Sequence, residues 1–189
     1  MTHPKNILVL KSSPRLKGNS STLADQFAQG ASQAGAAVES FDLAEMDIGP
    51  CDACDFCQGI DSSDCVVADD MQILYPKLHT ADLIAVASPV YWFTLSAQAK
   101  LCIDRWYALE GPGGSTLKGK QFVLILAYAD SDPYSSGAIN AIRTFQDMCR
   151  YLKADLAGVL YGCAHNIGDI QENTELLEQA KNLGQSLGV

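Results

Sequence analysis

A chain of 189 residues, 48% of them hydrophobic, suits one domain with a sizeable core. No apolar run approaches about 18 residues and no basic segment leads into an apolar one, which argues against a membrane span or a signal peptide and for the cytoplasm. The net charge of −9 is unevenly spread: between Lys17 and Lys77 there is no Lys or Arg and there are eleven acidic residues, a pattern that disfavours nucleic acid, whose phosphates need basic patches.

The first apolar run, at 7–10, feeds into Ser12-Ser13-Pro14-Arg15-Leu16-Lys17-Gly18-Asn19-Ser20-Ser21-Thr22 and then into helical spacing over 20–33. This order predicts a strand, an anion-binding turn and a helix. Five hydroxyls (Ser12, Ser13, Ser20, Ser21, Thr22) and three cations (Lys11, Arg15, Lys17) accompany a helix start whose free N–H groups favour phosphate. An ordinary loop capped by Asn19 or Ser20 accounts for fewer of these residues. The chain has neither GxxxxGK(S/T) nor GxGxxG here, which disfavours a triphosphate P-loop and a dinucleotide turn and leaves a mononucleotide phosphate.

A strand at 38–43 is followed by an interruption at 47–68 that contains Cys51, Cys54, Cys57 and Cys65. Three cysteines at successive two-residue gaps with a fourth nearby lie closer to iron–sulfur ligation than to the paired spacing of zinc sites. A [4Fe–4S] cluster leads the metal readings, while zinc and a metal-free set of redox thiols stay open. Asp52, Asp55, Asp61 and Asp64 surround the thiols with negative charge, which would give a cluster there a low reduction potential.

Helical spacing over 69–79 leads to a strand at 83–87 that ends in Ser88-Pro89-Val90-Tyr91-Trp92-Phe93. Three consecutive aromatics cannot all enter one core, because neighbouring side chains diverge; at least one faces a ligand or a partner, and a flat conjugated ring would stack there. A helix over 95–108 carries Asp104 and Arg105, a structural ion pair or an interface contact, and 110–115 reads as a flexible turn placed to act as a lid. A strand at 122–126, a helix over 136–152, a strand at 156–161 and a helix over 172–187 complete the pattern. Cys102, Cys149 and Cys163 fall in apolar patterns and are expected to be buried, and His3, His79 and His165 have no catalytic pairing. Five apolar strands alternating with helices predict an α/β three-layer domain with a parallel sheet, and ligands in such sheets sit beyond the carboxyl ends of the strands.

Ser13-Pro14-Arg15 with Gly18-Asn19-Ser20, the C-x2-C-x2-C-x7-C insertion, Asp69-Asp70-Met71, Ser88 to Phe93, Lys100 and Asp104-Arg105 together resemble the flavodoxin-like NAD(P)H-dependent FMN reductases and, within them, the iron–sulfur flavoproteins. The resemblance spans nearly the whole chain. It implies one flavodoxin-like domain over 1–189, a five-stranded parallel sheet in the order 2-1-3-4-5, and a cysteine-rich insertion at 47–68. It further implies that Ser12, Ser13, Arg15, Asn19, Ser20 and Ser21 hold the FMN phosphate, that Pro89, Val90, Tyr91, Trp92 and Phe93 border the isoalloxazine, and that Tyr128 and Ala129 complete the third flavin loop. The implied activity is an FMN-dependent oxidoreductase that moves electrons from NAD(P)H to a small acceptor such as a quinone, a free flavin or a metal complex. No catalytic side chain is implied, because the flavin carries the chemistry. The alternative is an iron–sulfur electron carrier supplied by a ferredoxin-like protein at the acidic surface, and a redox or metal sensor built on the four cysteines is a third reading. Such proteins are homodimers or homotetramers, with Trp106, Tyr107 and the aromatic loop available for an interface.

Overall fold

Side-chain alternation in the first strand divides the molecule in two: Ile7 and Val9 join one apolar cluster, Leu8 and Leu10 the other. The structure, a computed structural model, describes residues 3–15, 17–59, 65–111 and 113–189. Strands β1 (Asn6–Lys11), β2 (Ala37–Asp42), β3 (Leu83–Tyr91), β4 (Gln121–Tyr128) and β5 (Asp155–Cys163) form a parallel sheet in the order β2-β1-β3-β4-β5, the 2-1-3-4-5 order expected. The first cluster is closed by α1 (Asn19–Gln33) and α5 (Thr174–Leu187); the second by α2 (Met71–Thr80), α3 (Ala97–Asp104) and α4 (Ala138–Leu152).

The inner strands β1, β3 and β4 are continuously buried, as apolar runs covered on both faces must be. The edge strands are not. β2, Ala-Val-Glu-Ser-Phe-Asp, has no fully buried residue, and β5 is half-buried along most of its length, because an edge position leaves one flank to water. Cys163 closes β5 and is exposed there, so its expected burial is corrected by its place on an edge strand.

Two elements differ most from their predicted extents. β3 runs four residues past Ala87, pairing with β4 as far as Pro89 opposite Ala127, and a two-residue strand, Thr94–Leu95, folds back on its end. α3 therefore begins only at Ala97, capped by Ser96, whose Oγ accepts from Ala99 N at 3.3 Å. It ends in a tight turn, Arg105–Leu109, that turns Trp106 and Leu109 into the core. Trp106 is thus buried and unavailable for the expected interface, whereas Tyr107 is exposed.

Residues 110–115 form a small hairpin, Glu110–Gly111 against Gly114–Ser115, with Pro112 outside the described residues. The hairpin packs beside the turn Phe56–Gln58 of the cysteine segment rather than at the carboxyl ends of β1 and β3, so the expected lid is not over a ligand cleft. Among the described residues no helix is long and apolar enough to cross a membrane.

Candidate functional site

The carboxyl ends of β1, β3, β4 and β5 surround an open cleft of about 530 Å³. Its first wall is the turn after β1, contributed by Ser13, Arg15, Gly18, Asn19 and Ser20. Gly18 is the N-cap of α1 and supplies no side-chain cap, so the first N–H groups of the helix remain unspent within it. A Cβ at Gly18 would fall 2.2 Å from Ser13 Oγ, which itself accepts from Arg15 N at 3.2 Å. The Ser20 hydroxyl is buried and, among the described residues, has no hydrogen-bond partner. A buried hydroxyl left unpaired costs stability unless a ligand satisfies it. With the positive end of the helix dipole and exposed Arg15 beside it, the donor set fits a phosphate.

Two residues expected in that wall serve elsewhere. Ser12 is fully buried beneath the cleft: its Oγ donates to Ala87 O at 2.9 Å and accepts from Ser96 Oγ at 2.9 Å, while Ser96 N donates to Ser88 Oγ at 2.9 Å. This serine network ties the ends of β1 and β3 to the start of α3 and leaves Ser12 nothing to offer a ligand. Ser21 lies about 100° round the helix from Ser20, is buried, and does not line the cleft.

Pro89, Val90 and Tyr91 form the second wall, and Ala127, Tyr128 and Ala129 the third. Tyr128 packs against Tyr161 at a ring distance of 6.3 Å, and burial, helped by neighbouring Cys163 and Tyr161, pushes its hydroxyl above the usual phenol range. It is therefore a neutral group at physiological pH. Trp92 and Phe93 do not line this cleft. They sit at the tip of the β3 turn and border an adjoining recess of about 310 Å³, shared with Tyr128, Ala129 and His165.

The fourth wall, Ala164 to Ile167 after β5, was missed from the sequence. Asn19 builds it. Its Nδ2 donates to Ala164 O at 3.3 Å and Asn166 O at 2.8 Å, and its Oδ1 accepts from Gly168 N at 3.1 Å. Asp169 completes the loop by accepting from Asn166 N and His165 N; these bonds, the Asn166 one foremost, hold its carboxyl below the usual range. The available signal was positional: the strand after which Ala164-His165-Asn166 follows is one more parallel strand whose carboxyl end faces the same crevice. The Asn19 side chain is thus committed to this loop, leaving its backbone N–H for an anion.

No carboxylate lines the cleft among the described residues, so the acidic segment does not oppose an anionic ligand there. Asp25 and Asp42 pair with Lys11 and Glu39 with Lys77, while Asp52, Asp55 and Asp69 accompany the cysteine segment. Cys51 and Cys54 are exposed and Cys57 and Cys65 half-buried; among the described residues no three His, Cys, Asp or Glu side chains converge to hold a metal. Cys65 packs partly against the core and is near enough to Cys54 to act on its thiol, and Asp61 and Asp64 lie outside the described residues. Beneath the cysteine segment, fully buried Arg105 pairs with both oxygens of Asp69 and donates to Gly49 O at 2.9 Å, while Asp104 pairs with Lys100. Burial alone would raise Asp69, but hydrogen bonds from Arg105 and from the N–H groups of Gly49 and Met71 outweigh it and hold the carboxyl below its ordinary range.

Comparison with known proteins fits this geometry. An iron–sulfur flavoprotein of Methanocaldococcus jannaschii is 31% identical over 99 residues, which is 52% of this chain and 50% of that protein. The chain thus matches about half the length of that relative. A Bacillus subtilis protein provisionally named an NAD(P)H-dependent FMN-containing oxidoreductase is 26% identical over 181 residues, 94% of this chain and 95% of that one. The solved NAD(P)H:quinone oxidoreductase from Methanothermobacter marburgensis superposes with a TM-score of 0.76 at 20% identity, over 98% of this chain and 100% of that one, a likeness of fold. The family model described as flavodoxin-like fold matches residues 5–187, and with the observed strand order and cleft this places the chain in the flavodoxin-like family.

Proposed function

We propose that this chain is an FMN-dependent oxidoreductase that takes a hydride from NADH or NADPH and reduces a small acceptor such as a quinone, a free flavin or a metal complex. The observation that carries this reading is the partnerless, buried Ser20 hydroxyl at the open start of α1, in a cleft free of carboxylates among the described residues. In this reading Ser13, Arg15, Ser20 and the first N–H groups of α1 hold the FMN phosphate, and Pro89, Val90, Tyr91, Tyr128 and Ala129 border the ring. Ser12 gives the floor its rigidity and Asn19 braces the loop that closes the fourth side. FMN, when bound, supplies a relay that takes two electrons from the nicotinamide and yields them to the acceptor. For a quinone the balance is NAD(P)H, one proton and quinone going to NAD(P)+ and hydroquinone. The chain's own contribution is to orient the ring, keep Tyr128 neutral beside it and limit water at the buried floor.

Residues 1–189 then act as one domain carrying 47–68 as an insertion, working in the cytoplasm as a homodimer or homotetramer. The test is equilibrium binding of FMN and of riboflavin, followed by anaerobic mixing with each nicotinamide. FMN binding that depends on the phosphate, with reduction by NADH or NADPH, supports the enzyme; equal binding of riboflavin removes the phosphate site.

A second reading is favoured by the cysteine spacing and by the relatives named iron–sulfur flavoproteins: a [4Fe–4S] cluster at Cys51, Cys54, Cys57 and Cys65, with electrons delivered by a ferredoxin-like protein. Iron and sulfide analysis of protein purified without oxygen decides: about four irons per chain would support it, and none would remove it.

A further inference from the structure

The last turn of α4 and the tight turn Arg105–Leu109 leave an open groove of about 250 Å³ between them. α4 begins past the carboxyl end of β4 and stops before β5 begins, so the groove lies at the opposite end of the sheet from the cleft. It shares no lining residue with the cleft or with the recess beside Trp92. Apolar Ile103, Leu117 and Met148 line it, together with the exposed rings of Tyr107 and Tyr151, and the hairpin adds half-buried Glu110.

Four buried side-chain atoms have no hydrogen-bond partner among the described residues. Ser20 Oγ belongs to the cleft, and Arg105 Nε to a guanidinium already paired with Asp69. The other two, Trp106 Nε1 and Glu110 Oε1, belong to residues of this groove. The Trp106 N–H lies beside the Cys102 thiol, which leaves the Glu110 carboxylate as the unanswered group. Cations of the surrounding helices pair elsewhere, Lys100 with Asp104 and both Arg143 and Arg150 with Asp147. A carboxylate oxygen taken out of water with neither a donor nor a counter-ion is costly to the fold, and a bound cation removes that cost.

The surroundings select the sign of the ligand. Asp104 shares the wall, Asp55 lies near enough to Tyr107 to act on its hydroxyl, and among the described residues no Lys or Arg lines the groove. These charges oppose an anion. The two exposed tyrosines offer ring faces to a positive group and apolar surface to its body.

We infer that this groove binds a small protonated aromatic amine, its ammonium on the Glu110 carboxylate and its ring against Tyr107 and Tyr151. The volume lies below the roughly 300–1,000 Å³ of drug-sized sites, which limits the ligand to about one ring and a short amine chain. The site is independent of the flavin reading and stands whether or not the cleft holds FMN.

The experiment is isothermal titration calorimetry of the full chain at neutral pH with 2-phenylethylamine and with 3-phenylpropionate, which carries the same ring and the opposite charge. Wild type, Glu110→Gln and Tyr151→Ala are compared, with thermal unfolding measured on each. The amine is expected to bind wild type, to bind Glu110→Gln about tenfold more weakly and to bind Tyr151→Ala about threefold more weakly, while 3-phenylpropionate gives no binding heat. Glu110→Gln keeps the shape of the side chain and removes an unanswered charge, so it should unfold at the wild-type temperature or above. Tyr151→Ala changes a residue that is 75% exposed and tests the site without touching the buried carboxylate. No measurable amine binding to wild type, unchanged affinity in either variant, or equal binding of 3-phenylpropionate overturns the inference.

Discussion

The Asn19 amide donates to the main-chain oxygen of Asn166 at 2.8 Å, joining the first residue of α1 to the loop after β5 across the mouth of the cleft. Replacing Asn19 by Ala leaves the N–H groups of Gly168 and Ile170 without this acceptor and frees the loop. A stability loss of about 1–3 kcal/mol by urea unfolding is expected, with weaker FMN binding as a consequence. Unchanged stability would mean that water replaces the amide at no cost.

Ser20 and Arg15 should separate folding from binding. Ser20→Ala removes a buried hydroxyl that has no internal partner, so the ligand-free protein should be as stable as wild type or up to about 1 kcal/mol more stable. Its FMN affinity should fall. Arg15→Ala, at an exposed position, should leave stability unchanged and weaken FMN by roughly 1.5–3 kcal/mol, the range for hydrogen bonds to a charged group. Fluorescence titration with FMN reads both, and unaltered affinity in both variants would move the phosphate out of this turn.

Asp69 gives a pH signature. Its carboxyl is held below the ordinary range in the folded protein, so the unfolded chain takes up the proton more readily. The stabilisation from its pairing with Arg105 is therefore present above the unfolded value of about 3.9 and is lost as pH falls through the depressed folded value. Asp69→Asn should cost about 3–5 kcal/mol at neutral pH, because it leaves Arg105 buried and uncompensated. The gap between variant and wild type should close on acidification. Unfolding curves at neutral pH and in acid check the sign; a gap that persists undiminished in acid would show that the ionised carboxylate is not what stabilises.

The thiols should divide by environment. Burial pushes Cys102 up to about 12 and Cys149 up to about 11, and both lie in the core, so neither presents a thiolate. Iodoacetamide at neutral pH, followed by peptide mass analysis, should label exposed Cys51, Cys54 and Cys163 in the folded protein and Cys102 and Cys149 only after unfolding. Labelling of Cys102 without unfolding would reveal opening of the α3 face of the core.

The alternation of apolar strands with helices was legible as a doubly wound sheet because inner strands buried on both faces must be continuously apolar. The turn from Ser13 to Ser20 was legible because cations, hydroxyls and glycine are dense within a few residues of one helix start. What local sequence did not reveal shares one cause. Ser12 and Ser20 are both serines of the same turn, yet one is consumed by Ser96 and Ala87 from distant segments and the other is left unpaired. Asn19 had the composition of a cap and became a brace for a loop near the other end of the chain. Trp92 and Phe93, expected beside the same ring as Tyr91, border a recess that adjoins the cleft through Tyr128, Ala129 and His165.

The sequence by itself determined the fold and the location of the turn, rich in hydroxyls and cations, that walls the cleft, since both follow from local periodicity, composition and the rule that parallel strands deliver their ligands at one end. Only the tertiary structure decided which hydroxyls remain free, that the loop after β5 closes the cleft, and that among the described residues no carboxylate lines it. Those outcomes depend on contacts between residues far apart in the chain. Whether a polar group is available to a ligand is set by which of those contacts has already satisfied it.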